Sequence, residues 1–297
     1  MEAIRTNIIK NYSPYAKLFG ARQTTRSGRC SVIVAHPNDE IVGGGCLISK
    51  LPNVRVVHVS TGAPQSLDEA QAAAYGDVSE YAEARRRECL SALSLAQVPE
   101  DRVVEFGLDQ LQASFRMVHL TKRLLRFLQQ TTPQILLTHA YEGGHPDHDA
   151  VAFATHVASR LLHKNGLKPP VIFEMAIHPS DEGAKLPEFL HKPLLESTTL
   201  MLDPKARALK EQMFNCFETQ RQVMERSPLG PEKFRRAPVY NFRLPPHPGQ
   251  LHYEKLECEI TGKAWREMAS EALEELFKSG PLRLSLNSLD QAEDLAH

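Results

Sequence analysis

Five short runs rich in β-branched residues recur along this chain: SVIVAH (31–36), VRVVHVS (54–60), RVVEFG (102–107), ILLTHA (135–140) and VIFEMAI (171–177). Between them lie stretches of helical periodicity, so the order reads strand, helix, strand, helix. That alternation predicts an α/β fold, a Rossmann-like and mostly parallel sheet flanked by helices. With 297 residues, 42% of them hydrophobic, the chain is long enough to bury a large core. We expect one domain over 1–297, with a core at 28–180 and a C-terminal segment, 181–297, completing one wall of the pocket.

The charge pattern narrows the partners. Lys and Arg number 35 against 36 Asp and Glu, with no block of like charge, which argues against nucleic acid or an anionic membrane as the main partner. Five scattered cysteines without a CxxC pair fit a reducing compartment. The N-terminus has no unbroken apolar stretch before a small-residue cleavage site, and no apolar run reaches membrane-spanning length, so a cytoplasmic protein is the expectation. Helical patterning is also read at 204–226, while the Pro- and Arg-rich 227–250 reads as a long loop, 179–193 as a surface excursion and 286–297 as a loose end. Trp265 reads as a helix packing residue.

In the helix predicted over 79–97, Tyr81, Arg85, Cys89, Ala92 and Ala96 fall on one stripe. Arg85 therefore points inward, where a charge needs a partner. Either Glu88, one turn on, or a ligand can provide it.

Sites in open α/β sheets form at the carboxyl ends of strands. His36 and Asp39 sit there after the first strand; His145, Asp147 and His148, in YEGGHPDHDA, sit there after the fourth. A catalytic zinc takes three protein ligands of the His and carboxylate kind and leaves a position open for water. His36, Asp39 and a histidine of HPDHD supply such a set, although Asp39 alone also suits a helix cap.

AHPNDE (35–40) before a glycine-rich helix start, STG (60–62), RRREC (85–89) and GGHPDHDAV (143–151) together resemble the LmbE and PIG-L family of zinc-dependent de-N-acetylases. The resemblance runs over roughly the first 180 residues. It implies that His36, Asp39 and His148 hold zinc or another divalent ion, and that His145 stabilises the tetrahedral oxyanion and protonates the leaving amine. It also implies that Asp147 orients His145 and that Arg85 faces the substrate. The activity implied is hydrolysis of the N-acetyl group of an amino sugar such as N-acetylglucosamine, or of its conjugate, releasing acetate.

Position 38 departs from the family pattern HPDDE, in which the first aspartate takes a proton from water. Asn38 has no basic lone pair near neutral pH, so it accepts a hydrogen bond but removes no proton. Loss of a general base typically costs a hundred- to ten-thousand-fold in rate. Three accounts stand open: a substitution introduced to trap substrate, a working site with His145 or a carboxylate such as Glu40 as base, or a metal- or sugar-binding protein that has lost catalysis. A nucleotide loop at Gly43 to Gly45 is disfavoured, because the GxGxxG order is missing.

Overall fold

The computed structural model describes residues 29–179, 186–190, 196–255 and 260–278; the N-terminal stretch, Cys258, parts of the 179–193 excursion and the 286–297 end lie outside them. The five expected strands are β1 (Cys30–Val34), β2 (Arg55–Ser60), β3 (Val103–Leu108), β4 (Ile135–Thr138) and β5 (Val171–Met175). They pair in parallel in the order β3-β2-β1-β4-β5. After β1 the chain adds β2 and β3 on one side, then returns to place β4 on the other. The crevice of the fold therefore opens between the ends of β1 and β4.

Burial follows from alternation along the strands. Val32 and Val34 of β1 face helices α1 (Asp39–Ile48) and α3 (Val78–Leu95), whereas Ile33 faces α4 (Met117–Thr131) and α5 (Pro146–Lys164). Both faces are covered, which is why these strands read as apolar runs. The short α2 (Leu67–Ala72) lies between β2 and α3. Among the described residues, no helix is long and apolar enough to cross a membrane.

The later half corrects two expectations. The 227–250 stretch, expected as a loop, contains β9 (Glu232–Arg236), which pairs antiparallel with β5 and carries β8 (Ser197–Leu200) on its outer edge. The helix expected over 204–226 is two helices, α6 (Pro204–Phe214) and α7 (Arg221–Arg226). Two two-residue strands, β6 (His178–Pro179) and β7 (Pro187–Glu188), pair beside the sheet. The helices α8 (His252–Lys255) and α9 (Gly262–Lys278) follow. Trp265 of α9 is fully buried and donates its indole N–H to the carbonyl of Pro146 at 3.2 Å, a packing residue tied to the start of α5.

Helix α1 is broken at Gly44, whose backbone is non-helical. The amides of Cys46 and Leu47 that the break releases donate to the buried Glu232 carboxylate at 2.8 and 2.9 Å. Lys210 of α6 donates to the freed carbonyl of Val42 at 2.9 Å and to Glu232 at 3.1 Å. This pair splices the break; removing one member leaves the other buried and unpaired, at a cost of about 3–5 kcal/mol. The glycine run is a packing device: a Cβ on Gly43 would meet Ile177 at 2.9 Å and Met175 at 3.0 Å.

Candidate metal centre

His36 follows β1, and Asp39 opens α1. His145 caps α5, and Asp147 and His148 lie in its first turn, with Pro146 at the position where a missing N–H costs nothing. The crevice thus joins two motifs more than a hundred residues apart. His36 Nδ1, Asp39 Oδ2 and His148 Nε2 form a nearly equilateral triangle, with sides of 3.3, 3.4 and 3.3 Å. Ligands about 2.0–2.1 Å from a tetrahedral zinc stand about 3.4 Å apart. Three lone-pair atoms brought this close repel one another unless a cation or protons lie between them. The donor set and its spacing fit a divalent metal, with one face of the triangle left for a further ligand.

The surroundings support that use. Asp147 is fully buried; its carboxylate accepts the amides of Leu111 and Ala113 at 2.7 and 3.2 Å and lies 3.3 Å from His36 Nε2. A carboxylate behind a metal-binding imidazole fixes its tautomer, leaving Nδ1 free to bind. The expectation that Asp147 orients His145 is corrected here: the carboxylate is directed at His36, and only the Asp147 backbone amide meets His145, donating to Nδ1 at 3.2 Å. Without a metal, burial lowers the His36 pKa, but the Asp147 and Asp39 carboxylates, accepting from the ring, outweigh it and push His36 up to about 9. Against its own burial, Asp39 is held well below the usual carboxylate range by His148, His139 and His36.

His145 stands 5.0 and 4.9 Å, ring to ring, from His36 and His148. Burial and the two neighbouring imidazoles lower its pKa well below the ordinary value. In the neutral ring Nδ1 carries the lone pair that the Asp147 amide uses, so Nε2 carries the proton. This imidazole is a donor and has no free lone pair with which to act as a base. Glu40 is also turned away from the triangle. One of its oxygens meets the Asn38 amide and His58 Nε2, each at 3.2 Å, and the other accepts the Cys89 thiol at 3.1 Å.

Arg85 points inward, 4% exposed, but Glu88 is not its partner, being occupied by Thr219 and the amide of Glu218. The guanidinium donates to the carbonyls of Gly62 and Pro37 and to Asn38 Oδ1, each at 2.7 Å. The glycine of STG is needed there, because a Cβ on Gly62 would stand 2.8 Å from the guanidinium carbon. Asn38 itself has φ 145°, an unfavourable conformation for a side-chain-bearing residue.

Two further features were less legible in the sequence. His139, just after β4, stacks on His148 at 4.0 Å and accepts the Ala35 amide at 2.9 Å, which uses its Nε2 lone pair. A narrow crevice lies against His148 and is bounded also by Glu142, Gly144 and His178. A Cβ on Gly144 would collide with His178, so the paired glycines before HPDHD were the signal for it.

Comparison with known proteins gives one family match and several likenesses of fold. Residues 31–159 match the family model of GlcNAc-PI de-N-acetylase, PIG-L. No curated protein matches the chain. Among solved structures, the zinc-inhibited form of teicoplanin deacetylase Orf2 is 17% identical, with 70% of this chain and 97% of that chain covered and a TM-score of 0.51. A deacetylase–teicoplanin complex is 15% identical over 72% and 100% of the two chains, with a TM-score of 0.54. GalB, the 4-carboxy-2-hydroxymuconate hydratase of Pseudomonas putida KT2440, is 17% identical over 66% and 81%, with a TM-score of 0.50. At such identities the likeness is one of fold, and the fold serves more than one reaction. It is the motifs of residues 31–159, set on that fold, that this chain shares with the PIG-L de-N-acetylases.

Proposed function

We propose that this protein is a zinc-dependent hydrolase that removes the N-acetyl group from an amino sugar or sugar conjugate. The observation that carries the reading is the triangle of His36, Asp39 and His148, with edges of 3.3 to 3.4 Å. When bound there, zinc would polarise the amide carbonyl and lower the pKa of water.

The chain's own residues have separate tasks. Asp147 holds His36 in its ligating tautomer. His145 donates from Nε2 to the oxygen that becomes negative as the amide carbon turns tetrahedral. As a neutral ring it does not also protonate the amine, so that proton derives from the water consumed. Neither Asn38, an amide, nor His145 nor Glu40 offers a lone pair for general-base work, which favours a slow enzyme or a binding member of the same family.

The test is acetate release from a panel of N-acetylglucosamine conjugates by the zinc-loaded protein and by Asn38→Asp. We expect the aspartate variant to be faster by about a hundredfold or more. Equal rates would show that activation of water does not depend on position 38. Silence from both, with zinc bound, would favour the binding-protein reading.

A further inference from the structure

Position 38 has a polarity of its own. A guanidinium carries only donors, so the amide group of Asn38 must turn its oxygen toward Arg85, and the 2.7 Å contact to Oδ1 fixes that choice chemically. The opposite end of the amide, Nδ2, then faces away from Arg85. It makes no hydrogen bond to the described residues and is not among the buried orphaned atoms. The backbone holds it there: the Asn38 amide is tied to Glu40, and its carbonyl accepts from Ile41 and Val42, both at 3.0 Å.

The charge balance points the same way. Arg85 is buried and has no described carboxylate within ion-pair distance; its partners are two carbonyls and one amide oxygen, and its Nε is an orphan. A buried charge is ordinarily matched by an opposite one. Here Asp39 and Glu88 act on it only from beyond contact, beside a site whose donors suit a cation.

We propose that Asn38, clamped by Arg85, is the hydrogen-bond donor of this site to an anionic oxygen ligand, and that the pocket binds a carboxylate whose charge offsets that of Arg85. The inference rests on the metal-site reading above and deepens it: position 38 recognises a bound anion, and Arg85 is a positioning residue acting through it. An aspartate at this place would pair with Arg85 and present lone pairs where Nδ2 now presents hydrogens.

The probe is acetate, with acetamide as its neutral counterpart, measured by NMR titration on the zinc-loaded and the metal-free protein, with zinc content determined alongside. The expected result is that Asn38→Asp weakens acetate binding on the order of tenfold or more, the scale of a hydrogen bond to a charged group. Asn38→Ala, which removes the donor without adding charge, falls between the two, and acetamide binding changes less than about twofold. Acetate binding by Asn38→Asp equal to that of the unaltered protein would overturn the proposal. So would an unaltered, zinc-bearing protein that binds acetate no better than acetamide. Zinc content near zero would instead defeat the metal-site reading, while the ranking of the three proteins on the metal-free form would still decide the role of Asn38.

Discussion

Asp39 and Glu40 are neighbours on one turn of helix, and each anchors a trio of metal-binding residue types. Asp39 meets His36 and His148; Glu40 meets His58 and Cys89. By residue type the second trio is as suitable for a metal as the first. The difference is that in the Glu40 trio the carboxylate is already supplied with donors, the Cys89 thiol and the Asn38 amide, and its members are 0%, 2% and 2% exposed. Burial and the Glu40 charge raise the Cys89 thiol well above its ordinary range, so it stays protonated and donates. In the Asp39 trio a single carboxylate oxygen, already accepting the His36 backbone amide at 2.9 Å, is met by two ring nitrogens at 3.3 and 3.4 Å, and exposure is 7% to 9%. A metal site is defined by unmet demand and access as well as by its ligand types.

That comparison can be broken most decisively at Asp39. Asp39→Ala should take zinc from about one per chain to near none, with affinity down on the order of a hundredfold or more, and Asp147→Asn should lose about ten- to a hundredfold through His36. Full zinc retention by Asp39→Ala, read by elemental analysis after dialysis, would move the metal elsewhere.

His156 tests burial without closure. Its Nε2 is buried and unpartnered, among the rings of Tyr240 and Phe242, and burial followed by Arg160 lowers its pKa to about 4. The folded state thus refuses a proton that the unfolded state takes below about 6.5. Stability from this residue is intact above that pH and lost as the pH falls toward 4, by about 2 kcal/mol at pH 4.5. His156→Phe should lose less stability than the unaltered protein between pH 7 and 4.5 in urea titrations; parallel losses would contradict the assignment.

The smallest effect is expected in the closed trio. Cys89→Ala should cost about 1 kcal/mol in urea unfolding and leave the zinc count unchanged, whereas a fall from two zinc ions to one would make the Glu40 trio a second site.

What the sequence revealed depended on whether its signal was local. The five parallel strands were legible because both faces are covered and the apolar run is continuous. β9 was missed because Glu232 and Arg235, charges that argue for a loop, are buried in pairs with Lys210 and Glu174. The inward direction of Arg85 followed from helical spacing. Its partners did not, because two of them are backbone carbonyls that no side-chain pattern reports. That His36, Asp39 and His148 share one crevice was readable from His-Pro turns at two strand ends, while the pairing of Asp147 with His36 depended on the β3–α4 loop bringing two amides to its carboxylate.

The break in α1 gives the molecule a reciprocal property. The half of the helix that begins with Asp39 is joined to the rest of the fold through Lys210 and Glu232, which the chain supplies from more than 160 residues further on. Any free energy that metal binding contributes at Asp39 is then shared, by linkage, with the docking of α6 and β9. Were an ion held there, the distant segment would in turn set how firmly: a keystone of the site that never touches its centre.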